Sequence, residues 1–188
     1  MEKEDLKWKI KESKQLLKDK WIDVRADVCI RPDGKIIEPF YVYGFPDYAT
    51  AVAITKEGKI ILEKIYRHGL NVVATELPGG CVDKSDATFE DAIARELLEE
   101  TGYSFDKIEY LGKISPNPTT NTNVMHMFLA TGGVFNPNQP LDVDEDVEVF
   151  LVSLDEFVKM IQQQAFIQSM QLSTIFFALQ KLGRIIVK

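Results

Sequence analysis

Residues 95–103 read RELLEETGY, an arginine followed by glutamates at 96, 99 and 100, with Gly102 behind them. On a helix, positions three and four apart share a face, so Glu96, Glu99 and Glu100 lie on or near one side. Like charges so placed repel by a few tenths of a kcal/mol, about 0.2–0.5 per pair. Arg95 stands four residues before Glu99 and is placed to orient it through a bidentate bond. Three convergent carboxylates offer oxygen ligands alone, which suits a hard divalent cation such as Mg²⁺ or Mn²⁺. An ion held in this way bridges to phosphate oxygens. The same residues alone also describe a solvated acidic helix face.

The elements around this stretch set where it falls. Residues 88–101 have helical character, with Thr88 and Asp91 spaced as a cap and Gly102 as a stop. Ile93 and Leu97 form a separate apolar stripe able to hold that helix on a sheet. Just upstream, a strand-like VATELP leads into Leu77-Pro78-Gly79-Gly80, a strand end turning into a loop. TAVAIT and KIILEKIYR precede it as strands, and KIEYLGKIS, NVMHMFLAT and EVFLVSL follow as strands. The tail from Leu154 reads as two helices, the second ending at Gly183. At the other end, two β-rich runs flank Pro32-Asp33-Gly34 as a hairpin. The first twenty residues alternate Lys and Glu around Leu6, Ile10, Leu16 and Leu17, which predicts a partial helix or an arm. Pro46-Asp47 marks a boundary, dividing the chain into an extension over 1–46 and a main domain over 47–188. Strands, one central helix, more strands and terminal helices define an α/β class, with a three-layer sandwich as the expected architecture.

Composition narrows the partners. The chain has 188 residues, 45% hydrophobic and 27% charged, with a formal charge of −7. That balance argues against nucleic acid as a main partner, because a phosphate backbone calls for clustered Lys and Arg. No apolar run approaches the ~20 residues of a membrane span, and the charged N-terminus holds no signal-peptide core. Cys29 and Cys81 read as free thiols. A cytoplasmic protein is expected.

Gly79-Gly80, a short loop and then REUxEExGU, with U an apolar residue, resemble the Nudix box, the loop–helix–loop signature of the Nudix hydrolases. The second half matches throughout once Tyr103 is allowed as the last apolar position. The first half departs: counting back from Arg95, the family's glutamate falls on Ala87 and its glycine on Cys81. One extra residue in CVDKSDAT restores the glycine as Gly80 and brings Asp86 near the glutamate's place. VRADVCIRPDG, ILEKIYRHG, TELPGG and Pro118, about fifteen residues past the box, are similar in order and spacing to the ADP-ribose pyrophosphatase branch. The resemblance runs over roughly residues 20–160.

It implies a Nudix-type α/β/α sandwich with a mixed sheet and an N-terminal β-hairpin extension that pairs two subunits into a homodimer. It implies Mg²⁺- or Mn²⁺-dependent hydrolysis of a nucleoside diphosphate linked to another group, with ADP-ribose or a related nucleotide sugar as the small-molecule partner. Glu96, Glu99 and Glu100, with the Gly79 carbonyl, match the family's metal ligands. The general base falls on a loop after the box, where LDVDEDVEVFLV offers Asp142, Asp144, Glu145, Asp146 and Glu148. Position before Val147 selects Glu145, and Glu99 and Arg95 complete the catalytic set. Arg67, Glu76 and Arg25 are the expected substrate contacts, Arg67 and Glu76 being equally readable as a structural ion pair. Trp21, Phe40, Tyr41, Tyr43 and Phe45 are available to stack on adenine, although core or interface is their commoner use. His126, on an apolar strand, reads as a satisfied core residue, and a zinc site lacks its His and Cys ligands.

SPNPTTNTN departs from the branch. Asn117, Thr119, Thr120, Asn121 and Asn123 offer uncharged hydrogen bonds where a glycine and an acidic pair are usual. That leaves room for a different leaving group, as in GDP-mannose or a dinucleotide. A non-catalytic nucleotide sensor is the third reading, against which the intact glutamates count.

Overall fold

The computed structural model describes residues 6–137 and 147–185. Two compact units emerge, one from residues 1–46 and 115–123, the other from 47–114 and 124–188.

In the first unit, β1 (Lys9–Lys18), β2 (Asp23–Ile30) and β3 (Ile36–Gly44) form an antiparallel sheet in the order β1-β2-β3. The hairpin is present as β2–β3. The segment expected as a partial helix or arm is instead a strand, paired with β2 from Lys9↔Ile30 to Lys18↔Asp23. All ten residues of β1 are exposed, so no buried face marks out alternate positions, and register shifts between Ile10 and Glu12 and between Gln15 and Leu17 interrupt the pairing as well. Each irregularity changes which residues share a face, which breaks the period of two by which a strand is recognised. Gln15 covers the second one, its Nε2 donating to Leu17 O at 2.7 Å and Val24 O at 2.9 Å. The segment 115–123 joins this unit through Tyr43, whose N–H donates to Thr120 O at 2.8 Å and whose carbonyl accepts from Thr122 N–H at 3.0 Å.

The second unit is a mixed sheet with helices on both faces. Its strands are β4 (Tyr48–Thr55), β5 (Ile60–Arg67), β6 (Val72–Glu76), β7 (Tyr103–Ser104), β8 (Lys107–Ile114), β9 (Met125–Phe135) and β10 (Val147–Val152). Among the described residues these order as β10-β5-β4-β9-β7, with β6 on β5 and β8 on β9. β4 and β9 run parallel, and the other pairings are antiparallel. One face is covered by α1 (Phe89–Thr101), where Ile93 and Leu97 pack on Ala49, Ala51, Ala53, Ile61, Phe128 and Ala130. Three alanines on alternate positions of β4 place little side-chain bulk beneath the helix. The opposite face carries α2 (Leu154–Gln162) and α3 (Ser169–Lys181), with Phe157, Phe166, Ile175 and Leu179 packed on Val52, Leu62 and Leu129. This is the expected α/β/α sandwich. Among the described residues, no helix is long and apolar enough to cross a membrane.

Candidate active site

The site is built where β6 ends and α1 begins. Leu77 is buried, and the turn after it is stitched to β4. Ala51 N–H and Thr50 Oγ1 donate to Pro78 O at 3.2 and 3.1 Å, and Ala49 N–H donates to Gly80 O at 2.9 Å. Gly79 has φ 139°, a region that favours glycine, and a Cβ there would stand 2.2 Å from Ala49 O. α1 starts at Thr88, whose Oγ1 accepts Asp91 N–H at 3.0 Å, and stops at Gly102, with φ 75° and its N–H on Leu98 O. Both caps were legible in the sequence.

Arg95 is the hub of this corner. Its Nε and Nη2 each donate to Asp86 at 3.0 Å, and Nη2 also donates to Cys81 O at 3.1 Å. Nη1 donates to Glu96 Oε1 at 3.0 Å and Glu99 Oε2 at 2.9 Å. Asp86, above all, raises the affinity of the guanidinium for its proton, against the cost of burial. In return, Arg95 holds the Asp86 carboxyl below its ordinary 3.8. Asp86 thus takes the bidentate bond of Arg95 from one position before Ala87, where the resemblance expects a glutamate. The bidentate bond of Arg95 goes to Asp86, and Glu99 receives a single bond.

Glu100 turns back to the loop, its Oε2 accepting Gly79 N–H at 2.7 Å. The Glu96 carboxylate lies against Gly80, where a Cβ would meet Glu96 Oε2 at 2.6 Å. Among the described residues, no three acidic, histidine or cysteine side chains stand as a preassembled metal cage. The three glutamates instead share one flank of α1, with the repulsion between Glu96 and Glu99 relieved by Arg95. Their donor set fits a hard divalent cation. The ligands are carboxylate oxygens, and glycine at 80 keeps open the space beside Glu96 that a side chain would fill.

Arg67 and Glu76 form a bidentate pair, with Nε–Oε1 and Nη2–Oε2 both at 2.8 Å, on a glutamate side chain only 3% exposed. Gln171 of α3 also reaches this carboxylate, a contact the sequence reading missed. A lone glutamine in the apolar run of SMQLSTIFFAL was its only trace. Arg25 lies in the first unit, paired with Asp27 at 3.1 Å. Trp21 and Tyr41 are exposed there, and Phe40 packs edge-on against Trp8. Asn117, Thr120 and Asn121 bond one another within their own turn. Glu145, with Asp142, Asp144 and Asp146, lies outside the described residues, while Glu148 pairs with Lys64 at 2.8 Å.

His126 corrects an expectation. It is buried and stacks on Phe89 with 3.5 Å between ring centroids, and Tyr110 Oη lies 3.3 Å from its Nδ1. Among the described residues its Nε2 has no hydrogen-bond partner, the nearby Asp47 Oδ2 being 3.8 Å away. Burial, opposed by Asp47, favours the neutral ring. Packing against Phe89, rather than full hydrogen bonding, accounts for its place.

Residues 45–170 match the NUDIX domain family, and residues 8–43 match the nucleoside diphosphate sugar hydrolase N-terminal domain. The chain belongs to the Nudix family and is a Nudix hydrolase. It is 32% identical over 151 residues to the ADP-ribose pyrophosphatase of Bacillus subtilis (strain 168), covering 80% of each chain. It is 35% identical over 164 residues to the ADP-ribose pyrophosphatase of Saccharomyces cerevisiae, covering 77% of this chain and 71% of that one. It is also 29% identical over 153 residues to the methanol dehydrogenase activator of Bacillus methanolicus, covering 81% and 82%. A crystal structure of an ADP compounds hydrolase shares the fold, with a TM-score of 0.80 at 19% identity over 95% of this chain and 97% of that one.

Asp86 makes a prediction of its own. A depressed carboxyl stabilises the fold fully above its ordinary value of 3.8, and that contribution is lost as pH falls through the native value. Asp86→Asn removes this contribution and the clamp on Arg95. Its melting temperature should therefore fall less steeply with acid than that of the parent, and turnover should drop about 10-fold or more. Identical acid limbs in the two melting curves would show that the pair contributes nothing.

Proposed function

We propose that this chain hydrolyses the diphosphate of ADP-ribose or a related nucleotide sugar, releasing a nucleoside monophosphate and a sugar phosphate. The observation that carries this reading is the loop–helix corner itself. Glu96, Glu99 and Glu100 are all present on one flank of α1, with Arg95 anchored by Asp86 and with Gly79 and Gly80 against the carboxylates. The two ADP-ribose pyrophosphatases that share about a third of its residues support the choice of substrate.

In this reading Glu96, Glu99, Glu100 and the Gly79 carbonyl hold Mg²⁺ or Mn²⁺. When bound, the ion neutralises diphosphate charge and polarises the phosphorus that is attacked. Water forms the new P–O bond as the bridging P–O bond breaks, and Glu145 takes the water's proton. Arg95 keeps Glu96 and Glu99 oriented, and Arg67, fixed by Glu76, meets the diphosphate. Arg25 contributes a second cation to the phosphates. The first unit pairs two copies into a homodimer, for which its exposed Trp8, Ile10, Leu16 and Leu17 on and beside β1 are suited. The cytoplasm, with two free thiols kept reduced, is the proposed location.

One observation favours a second reading. The 115–123 segment presents Asn and Thr side chains in a self-bonded turn, where the branch usually carries acidic groups. A different leaving group, as in GDP-mannose or a dinucleotide, would keep the same metal chemistry. A nucleotide sensor without turnover is the third.

The test is a hydrolysis panel with Mg²⁺ over ADP-ribose, GDP-mannose, ADP-glucose, NADH and diadenosine polyphosphates, with melting measured in parallel. AMP and ribose 5-phosphate should form fastest from ADP-ribose. Mg²⁺ at 100 times its Kd should stabilise the protein by about 2.7 kcal/mol. Faster hydrolysis of another compound would move the specificity elsewhere, and binding without any turnover would make the protein a sensor.

A further inference from the structure

β6 ends at Glu76 and is followed at once by Leu77 and the Pro78-Gly79-Gly80 turn. A single side chain from the last helix holds this strand end. Gln171, 4% exposed, accepts Leu77 N–H on Oε1 at 2.9 Å and donates from Nε2 to Glu76 Oε2 at 2.8 Å. The same Nε2 lies 3.4 Å from Leu77 O. Both ends of the amide are thus engaged. On α3, Gln171 stands in line with Ile175, Ala178 and Leu179, the helix's stripe into the apolar core. A hydrophobe would serve packing alone at that position. A buried amide is retained there at a desolvation cost, and its bonds go to the strand that delivers the site.

We propose that Gln171 is a positioning residue for the active site, tying the C-terminal helix to the end of β6. It thereby sets the backbone entering Gly79 and the orientation of the Arg67–Glu76 pair. The turn is then held at both ends, by Gln171 on Leu77 N–H and by Glu100 on Gly79 N–H. Glu76 receives two bonds from Arg67 and one from Gln171, so the guanidinium, 44% exposed, is presented in one orientation. The inference rests on the reading of Arg67, Glu76 and Gly79 as site residues.

Three variants separate positioning from packing: Gln171→Met, Gln171→Glu and, as a control, Thr174→Val. Thr174 is fully buried on the same helix and bonds to Met170 O and Met125 Sδ, neither of which belongs to the turn. Melting temperature, KM and kcat for ADP-ribose, Mn²⁺ affinity from the spin-resonance signal of the free ion, and amide exchange at Gly79 are measured for each. Gln171→Met should raise KM about 10-fold and weaken Mn²⁺ binding several-fold, as supporting groups of a metal site do. Its Gly79 amide should exchange faster, whereas Thr174→Val changes melting alone. Gln171→Glu keeps an acceptor for Leu77 but sets a second carboxylate against Glu76, with Arg67 and the buried Glu63 as the other charged groups facing the pair. Its kcat/KM should fall about 10-fold or more, because the added carboxylate repels Glu76 and competes with it for Arg67. Wild-type KM, Mn²⁺ affinity and Gly79 exchange in both Gln171 variants would overturn the proposal. If Gln171→Met does not fold, Gln171→Glu decides. A parent inactive on every diphosphate would refute the functional reading, while Gly79 exchange would still judge Gln171.

Discussion

Glu100→Gln should fold as the parent does and turn substrate over at least about 100-fold more slowly, since even groups behind metal ligands cost 10–100-fold. The substitution is isosteric, and its amide oxygen can still accept Gly79 N–H, which Glu100 Oε2 accepts at 2.7 Å. What it removes is one negative charge from a flank that carries three. Without metal, that removal relieves like-charge repulsion worth a few tenths of a kcal/mol, about 0.2–0.5 per pair. Melting of the metal-free variant should therefore equal or slightly exceed that of the parent. With Mg²⁺ the order should reverse, because the variant gains less from the ion. Near-normal turnover would place the metal elsewhere on the chain. The result separates this site from a merely solvated acidic face, for which both stability and activity would be indifferent to the charge.

The two glycines before the helix should respond in opposite ways to the same added methyl group. Gly79→Ala forces a side chain onto a residue with φ 139° and drives its Cβ to 2.2 Å from Ala49 O and 2.7 Å from Thr50 Cα. Backbone of a central strand must move to admit it, so overpacking and the unfavourable dihedral together should cost roughly 3 kcal/mol or more. For a chain of this length that lowers the melting temperature by about 10 °C. Gly80→Ala meets only the end of a movable side chain, the Glu96 carboxylate at 2.6–2.8 Å. Its stability should stay close to that of the parent, while Glu96 is pushed off its position and Mn²⁺ affinity falls about 10-fold or more. Calorimetry and metal titration of both variants check the pair. Equal losses of stability would show that the Glu96 side chain is as rigid as the strand. Unchanged metal affinity in Gly80→Ala would remove Glu96 from the ligand set.

Much of this corner was open to a reading of the chain alone, for a physical reason. A helix places residues three and four apart on one face whatever surrounds it, so Glu96, Glu99 and Glu100 were brought together by spacing. Thr88 and Gly102 bound the helix through backbone bonds to their own neighbours, which are local as well. The burial of the sheet on both faces followed from apolar strands flanked by helices. β1 shows no local strand pattern because all ten of its residues are exposed and two irregularities interrupt its pairing, which depends on a partner strand.

The family followed from the resemblance that Gly79-Gly80 and RELLEETGY carry, and the layered class from the order of strands and helices, both read from residues close together in the chain. How the acidic groups are held depends instead on contacts between distant parts of the chain. Asp86 meets Arg95 across nine positions, Glu100 meets the Gly79 amide across twenty-one, and Gln171 reaches Glu76 across ninety-five. Contacts at such separations are set by how strands and helices pack, and no spacing rule within one element encodes them.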